Sequence, residues 1–121
     1  MSAFGGEALG ATAPMDLDHV LNEIGGDKAF LRELLDEFVG NAWTEVDTIR
    51  QAVGLRTADI VAREAHAIKG GAANLAAQPL SNAARTLEDL SLSGSLDGAN
   101  EAVGRLEEEL ARLEHFVRQW R

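Results

Sequence analysis

The sequence predicts an all-α protein, an antiparallel up-down-up-down four-helix bundle with a short additional helix packed across one end. Three observations predict it. Apolar residues recur at i, i+3, i+4 and i+7 in successive segments from Asp16 to Trp120. Glycine, proline or a capping residue punctuates the chain between those segments. The composition, with 2 prolines, no tyrosine and abundant Ala, Leu and Glu, favours helix over strand. A length of 121 residues with 45% hydrophobic side chains suits one domain around one core.

Residues 1–14, MSAFGGEALGATAP, are small, Gly-rich and aperiodic, and are expected to be a disordered tail ahead of a domain spanning 15–121. Asp16 caps a short helix whose Leu17, Val20, Leu21 and Ile24 fall at helical spacing, and Gly25-Gly26 ends it. Asp27 caps the second helix, which carries Phe30, Leu31, Leu34, Leu35, Phe38, Ala42, Val46, Ile49 and Val53 and stops at Gly54. Thr57 is the expected cap of the third, in which Val61, Ala65, Ile68, Ala72 and Leu75 form a stripe running to about Ala77. Gln78-Pro79 restarts the chain, with proline suited to a first helical turn. The fourth helix shows Leu80, Ala83, Ala84, Leu87 and Leu90 and ends at Ser93-Gly94. Asp97 opens the fifth, with Ala99, Val103, Leu106, Leu110, Leu113, Val117 and Trp120 in one stripe. Short connections between the four long helices make sequential neighbours antiparallel.

The charge balance narrows the range of partners. A formal charge of −9 repels phosphate backbones and anionic lipid alike, so neither nucleic acid nor a membrane is expected to bind. The chain contains no cysteine, which removes disulfides and thiolate metal sites. No apolar run has the length of a membrane span, and the first residues lack the basic start and apolar stretch of a signal peptide. A cytoplasmic monomer without cofactor or metal is the expectation.

On the third helix, about 100° per residue places His66 roughly 140° from the core direction, facing solvent. Asp59, Ala62, Lys69, Gly70, Ala73 and Ala77 share that arc, so the histidine and lysine stand among small side chains on an open surface. An ordinary imidazole, with a pKa near 6.5, is mostly neutral around pH 7 and keeps one nitrogen lone pair free as a nucleophile. Lys69, one turn on, can pair with oxygens of a phosphoryl group carried by His66. On spacing alone, a bystander histidine beside a solvated lysine fits as well. The pair Gly70-Gly71 tips the balance, because each glycine costs about 1 kcal/mol relative to alanine within a helix. The apolar period continues through Ala72 and Leu75, so the helix does not break there. Gly70 keeps the space over the imidazole open for a bulky partner, and Gly71 allows close helix packing.

The run Ala65-His66-Ala67-Ile68-Lys69-Gly70-Gly71-Ala72-Ala73-Asn74-Leu75 resembles the signature of histidine-containing phosphotransfer (HPt) domains, His-x-x-Lys-Gly with a downstream leucine. Residues 27–38, DKAFLRELLDEF, resemble the family's second helix, and Leu87-Glu88 resembles its segment after the site helix. The family follows the site helix with Leu-Gly, where this chain has Leu75-Ala76. The resemblance implies a four-helix bundle with a short N-terminal lid helix, and transfer of phosphoryl groups to and from receiver-domain aspartates. It implies that His66 is phosphorylated and that Lys69 steadies the phosphoryl oxygens. It also places a Gln or Glu twenty-two residues beyond the histidine, bonded to the other ring nitrogen, which is Glu88 here. Glu88 lies about 100° from its own helix's core direction, a boundary position from which it can accept the Nδ1 hydrogen and leave Nε2 as nucleophile. A solvated surface charge is the competing reading of Glu88.

The partners so implied are receiver domains of response regulators and of hybrid histidine kinases, docking over Gly70 with Ala62 and Ala73 around it. Leu17 and Leu21 of the lid helix offer further apolar surface for a partner. Any divalent cation is expected to come from the receiver. The chain is then a phosphocarrier rather than an enzyme, since no ATP-binding module fits beside five helices. His19 and His115 lack a Lys-Gly companion and are expected to be solvated. Two rivals stand beside this reading: a helical adaptor that binds a signalling partner without phosphorylation, and a metal-carboxylate bundle. The second needs core-facing Glu-x-x-His pairs on two helices, which the sequence lacks.

Overall fold

A computed structural model describes residues 13–120. These residues form α1 (Leu17–Glu23), α2 (Lys28–Gly54), α3 (Ala58–Asn74), α4 (Gln78–Leu92) and α5 (Ala99–Trp120), and none of them is in a strand. Helix α2 packs on α3 and α5, and α4 on α3 and α5, which closes a ring of four antiparallel neighbours. This is the up-down-up-down four-helix bundle, and the short helix α1 crosses one end of it. The Asp16 N–H donates to the Ala76 carbonyl at 3.0 Å, tying the start of α1 to the connection between α3 and α4.

Local chemistry sets the boundaries. Asp16 accepts from the His19 N–H and Asp27 from the Phe30 N–H, at 3.2 and 2.9 Å, so both expected aspartate caps form. Each such cap is worth about 1 kcal/mol. Gly25 and Gly26, at φ +79° and +81°, turn the chain between the two helices in a region that side-chain-bearing residues avoid. Thr57 precedes α3 without making a side-chain cap; its hydroxyl donates to the Leu55 carbonyl instead, at the edge of hydrogen-bond range. Helix α5 begins at Ala99, two residues after the expected opening at Asp97, because Gly98 at φ +83° still belongs to the turn and accepts the first bond from the Ala102 N–H.

The core is built from the expected stripes. Leu31, Leu35 and Ile49 of α2, Ile68 of α3, Leu80 and Leu87 of α4, and Leu106, Leu110 and Leu113 of α5 are fully buried. Each contributes about 1.5–3 kcal/mol by leaving water, so the fold has no need of the polar face of α3. The second helix departs in detail. Phe30 is 45% exposed, while Val39 and Ala52 are in the core. Both keep the helical spacing, Val39 four residues from Leu35 and three from Ala42, and Ala52 three from Ile49, whereas Phe30 sits in the first turn, one residue off buried Leu31.

Helix α3 ends at Asn74, three residues before the expected end near Ala77. Leu75 and Ala77 are buried nonetheless, because Ala76 at φ +53° reverses the chain and points its neighbours back into the bundle. Buried side chains here continue the helical stripe although the helix has stopped. Of the segment expected to be a tail, residues 1–12 lie outside the described residues, whereas Ala13 and Pro14 are half-buried against the domain.

Candidate functional site

The middle of α3 carries the histidine. Ala65 and Ile68 on either side of it are fully buried, and this fixes the rotation of the helix and turns His66 outward. Its side chain is 68% exposed. The helix runs unbroken through Gly70 and Gly71. A Cβ on Gly70 would meet nothing within 4 Å, so the surface one turn from the imidazole is open. A Cβ on Gly71 would stand 2.6 Å from Cε1 of Phe38, so this glycine admits the Phe38 ring of α2 against the α3 backbone. The two adjacent glycines therefore serve different faces of one helix.

Across the α3–α4 contact, Glu88 reaches the histidine. Its Oε2 is 2.7 Å from His66 Nδ1, and its Oε1 is 2.6 Å from Lys69 Nζ. Long side chains on a helix lean toward its N-terminus, so Lys69 runs back along α3 toward residue 66 and meets the same carboxylate. Glu88 is almost buried, its side chain 11% exposed. The hydrogen bond from Lys69 chiefly holds its carboxyl below the ordinary carboxylate range; burial opposes this, and the bond with His66 lowers it further. An ionised carboxylate can only accept, so Nδ1 is the donor. In the neutral ring, Nε2 then keeps the lone pair. Glu88 is thus a buried partner of two site residues rather than a solvated surface charge.

Lys69 is partly buried and occupied by Glu88, rather than standing free beside the ring. Ala73 is exposed and continues the open face past Gly70. Ala62, expected on that face, is only 7% exposed, and Ala77 is fully buried. The causes differ: α2 and α4 flank α3 and cover Ala62, whereas Ala77 lies past the end of α3, where the turn at Ala76 directs it into the bundle. Leu17 and Leu21 are half-buried and pack on the core. His19 and His115 are exposed, and His19 lies 3.5 Å from Glu23 within its own helix. Among the described residues no three His, Asp or Glu side chains are grouped as metal ligands, and no helix is long and apolar enough to cross a membrane.

Two contributors escaped the sequence reading. Phe38 stands in an apolar stripe like any core residue, and only the paired glycine hinted at a close approach from another helix. Ser81 of α4 is 2% exposed and donates its hydroxyl to the Lys69 carbonyl at 3.1 Å. The available signal was its position seven residues before Glu88 on the same helix face, a polar side chain between Leu80 and Ala84.

A bundle with an exposed, carboxylate-anchored histidine in mid-helix defines a class of phosphotransfer domain. The family model of the Hpt domain matches residues 33–116, and the chain belongs to that family. The fold is similar to the crystal structure of histidine-containing phosphotransfer protein B from Pseudomonas aeruginosa PAO1, with a TM-score of 0.81 and 26% sequence identity over 88% of this chain and 92% of that one. No curated protein sequence matches. Membership of the family gives the chain a phosphotransfer role in two-component signalling.

Proposed function

We propose that the chain is a phosphocarrier that accepts a phosphoryl group on His66 from the aspartyl phosphate of a receiver domain, or from a sensor kinase, and passes it to a response-regulator aspartate. The single observation that carries the reading is the held imidazole: Nδ1 tied to Glu88 at 2.7 Å with the ring 68% exposed. In transfer, Nε2 attacks the phosphorus in line. The N–P bond forms as the bond from phosphorus to the aspartyl oxygen breaks, and the receiver carboxylate leaves with the electron pair. The Nδ1 proton stays on the ring, held by Glu88, which offsets the positive charge that develops on the imidazole. Such chemistry depends mainly on positioning and electrostatics.

Lys69 supplies a cation for the phosphoryl oxygens and leaves Glu88 in part to do so. Gly70 and Ala73 provide the docking surface, with Leu17 and Leu21 at its α1 end. Ala62, being buried, supports this surface from beneath. The chain works as a cytoplasmic monomer and turns over nothing by itself. The test is to mix purified chain with receiver domains carrying labelled aspartyl phosphate. Label should move to the chain in an acid-labile, base-stable form and move on to a second receiver. A stable complex with receivers and no movement of label would support the adaptor reading instead.

A further inference from the structure

Helix α4 contains two buried serines that satisfy their hydroxyls differently. Ser91, 4% exposed, donates to the Leu87 carbonyl of its own helix at 2.8 Å, the usual local solution for a helical serine. Ser81, 2% exposed, does not bond back within α4; its hydroxyl crosses to α3 and donates to the Lys69 carbonyl at 3.1 Å. That carbonyl belongs to the site lysine, one residue before Gly70, whose missing side chain leaves α3 open beside the imidazole. Seven residues along, about 10.5 Å further on the same face of α4, stands Glu88. It must meet His66 Nδ1 and Lys69 Nζ at once, at 2.7 and 2.6 Å.

Two antiparallel helices joined by a short turn can still slide and roll against small residues. Ala65 and Ala72 of α3 and Ala84 of α4 are buried alanines, side chains too short to interlock deeply with a neighbouring helix. We infer that Ser81 is a positioning residue for phosphotransfer: its cross-helix hydrogen bond sets the register of α4 on α3 and so keeps Glu88 within reach of both His66 and Lys69. This inference rests on the phosphocarrier reading for its consequence in rate, and on geometry alone for its consequence at the imidazole.

The experiment compares Ser81→Ala, Ser81→Thr and Ser91→Ala in the full chain, with Glu88→Ala as the reference for a lost partner. Nitrogen-15 NMR of the His66 ring reports the tautomer whether or not the protein transfers phosphate. Labelling by phosphoramidate reports reactivity. Ser81→Ala should move the ring-nitrogen pattern toward that of Glu88→Ala and slow labelling by about tenfold, since small displacements of reacting groups cost up to about 100-fold. Ser81→Thr, which keeps the hydroxyl, should restore the wild-type pattern. Ser91→Ala, which removes an equally buried hydroxyl, should leave both readouts unchanged even where it lowers the melting temperature. A wild-type ring pattern in Ser81→Ala would overturn the inference, as would the same change in Ser91→Ala. Wild-type chain that takes no label, with the ring pattern still sensitive to Ser81, would refute the phosphocarrier reading and leave the register role standing.

Discussion

Lys69 Nζ lies 2.6 Å from Glu88 Oε1, so the lysine one turn from the histidine is already paired with a carboxylate in the unphosphorylated protein. In the proposed carrier, phosphorylation of His66 would set the phosphoryl oxygens in competition with Glu88 for that ammonium. Lys69→Ala should therefore shorten the lifetime of the phosphohistidine or slow transfer, while the bundle stays folded. Circular dichroism and the decay of labelled protein check the two halves. Equal lifetimes and transfer rates in variant and wild type would reduce Lys69 to a structural partner of Glu88.

Glu88→Gln keeps an acceptor for Nδ1 but removes the charge that pairs with Lys69. At pH 7 the variant should be less stable by about 1.5–3 kcal/mol, the range for hydrogen bonds to charged groups. The folded chain holds the Glu88 proton less tightly than the unfolded chain, whose value is near 4.5, so the contribution is complete above that pH. It is lost as pH falls through the lower folded value. Denaturant melts of both proteins should diverge at pH 7 and converge in acid. A stability difference that does not change with pH would contradict the ion pair.

Gly70 and Gly71 are neighbours in sequence with opposite expected responses to alanine. Gly70→Ala should raise stability by up to about 1 kcal/mol, because helix propensity gains and nothing is met within 4 Å. Gly71→Ala puts a methyl 2.6 Å from the Phe38 ring. Overpacking costs about 1–3 kcal/mol and outweighs the propensity gain, so this variant should melt lower. Phe38→Leu in the Gly71→Ala background should recover part of the loss.

A longer side chain at Gly70 separates docking from chemistry. Gly70→Gln should be at least as stable as wild type, by several tenths of a kcal/mol of helix propensity. It should take phosphoryl groups poorly from receivers and yet label normally with phosphoramidate, which needs no docking surface. Unchanged exchange with receivers would show that the open face over Gly70 is not where they bind.

Glu45 on α2 is only partly buried, and burial first, then repulsion from Glu64 on α3, push its carboxyl above the ordinary range. The folded chain binds this proton more tightly than the unfolded chain, so ionised Glu45 is a net cost at neutral pH that fades as pH falls through the raised value. Glu45→Gln should stabilise the bundle at pH 7 by at most about 0.5 kcal/mol after solvent screening, with the gain disappearing in acid. Thermal melts at several pH values check the sign.

Much of this architecture was legible in the chain because helix periodicity and capping are local. The Asp16 and Asp27 caps, the core leucines and the exposure of His66 all follow from neighbours within a turn or two. What was not legible depends on a second helix. The end of α3 at Asn74 was masked because Leu75 and Ala77 stay buried through a turn at Ala76, so burial and helix parted company. Ala62 was read as surface because a single helix cannot report how much of it two neighbours cover. The distance from Glu88 to His66 needed the α3–α4 register, which spacing along one helix does not contain; resemblance to a family supplied the pairing. The sharing of Glu88 with Lys69, and the Ser81 bond beneath it, had no signal strong enough to stand out in one sequence.

In the proposed function His66 itself carries the phosphoryl group, and one comparison decides it. Wild-type chain and His66→Gln are incubated with the same phosphorylated receiver and with phosphoramidate, and the modified residue is located by mass spectrometry under non-acidic conditions. Wild type should carry a single phosphohistidine at residue 66, His66→Gln should carry no label, and the two should have equal helix content and melting behaviour. Label retained by His66→Gln, or found in wild type on His19 or His115, would contradict the proposed function.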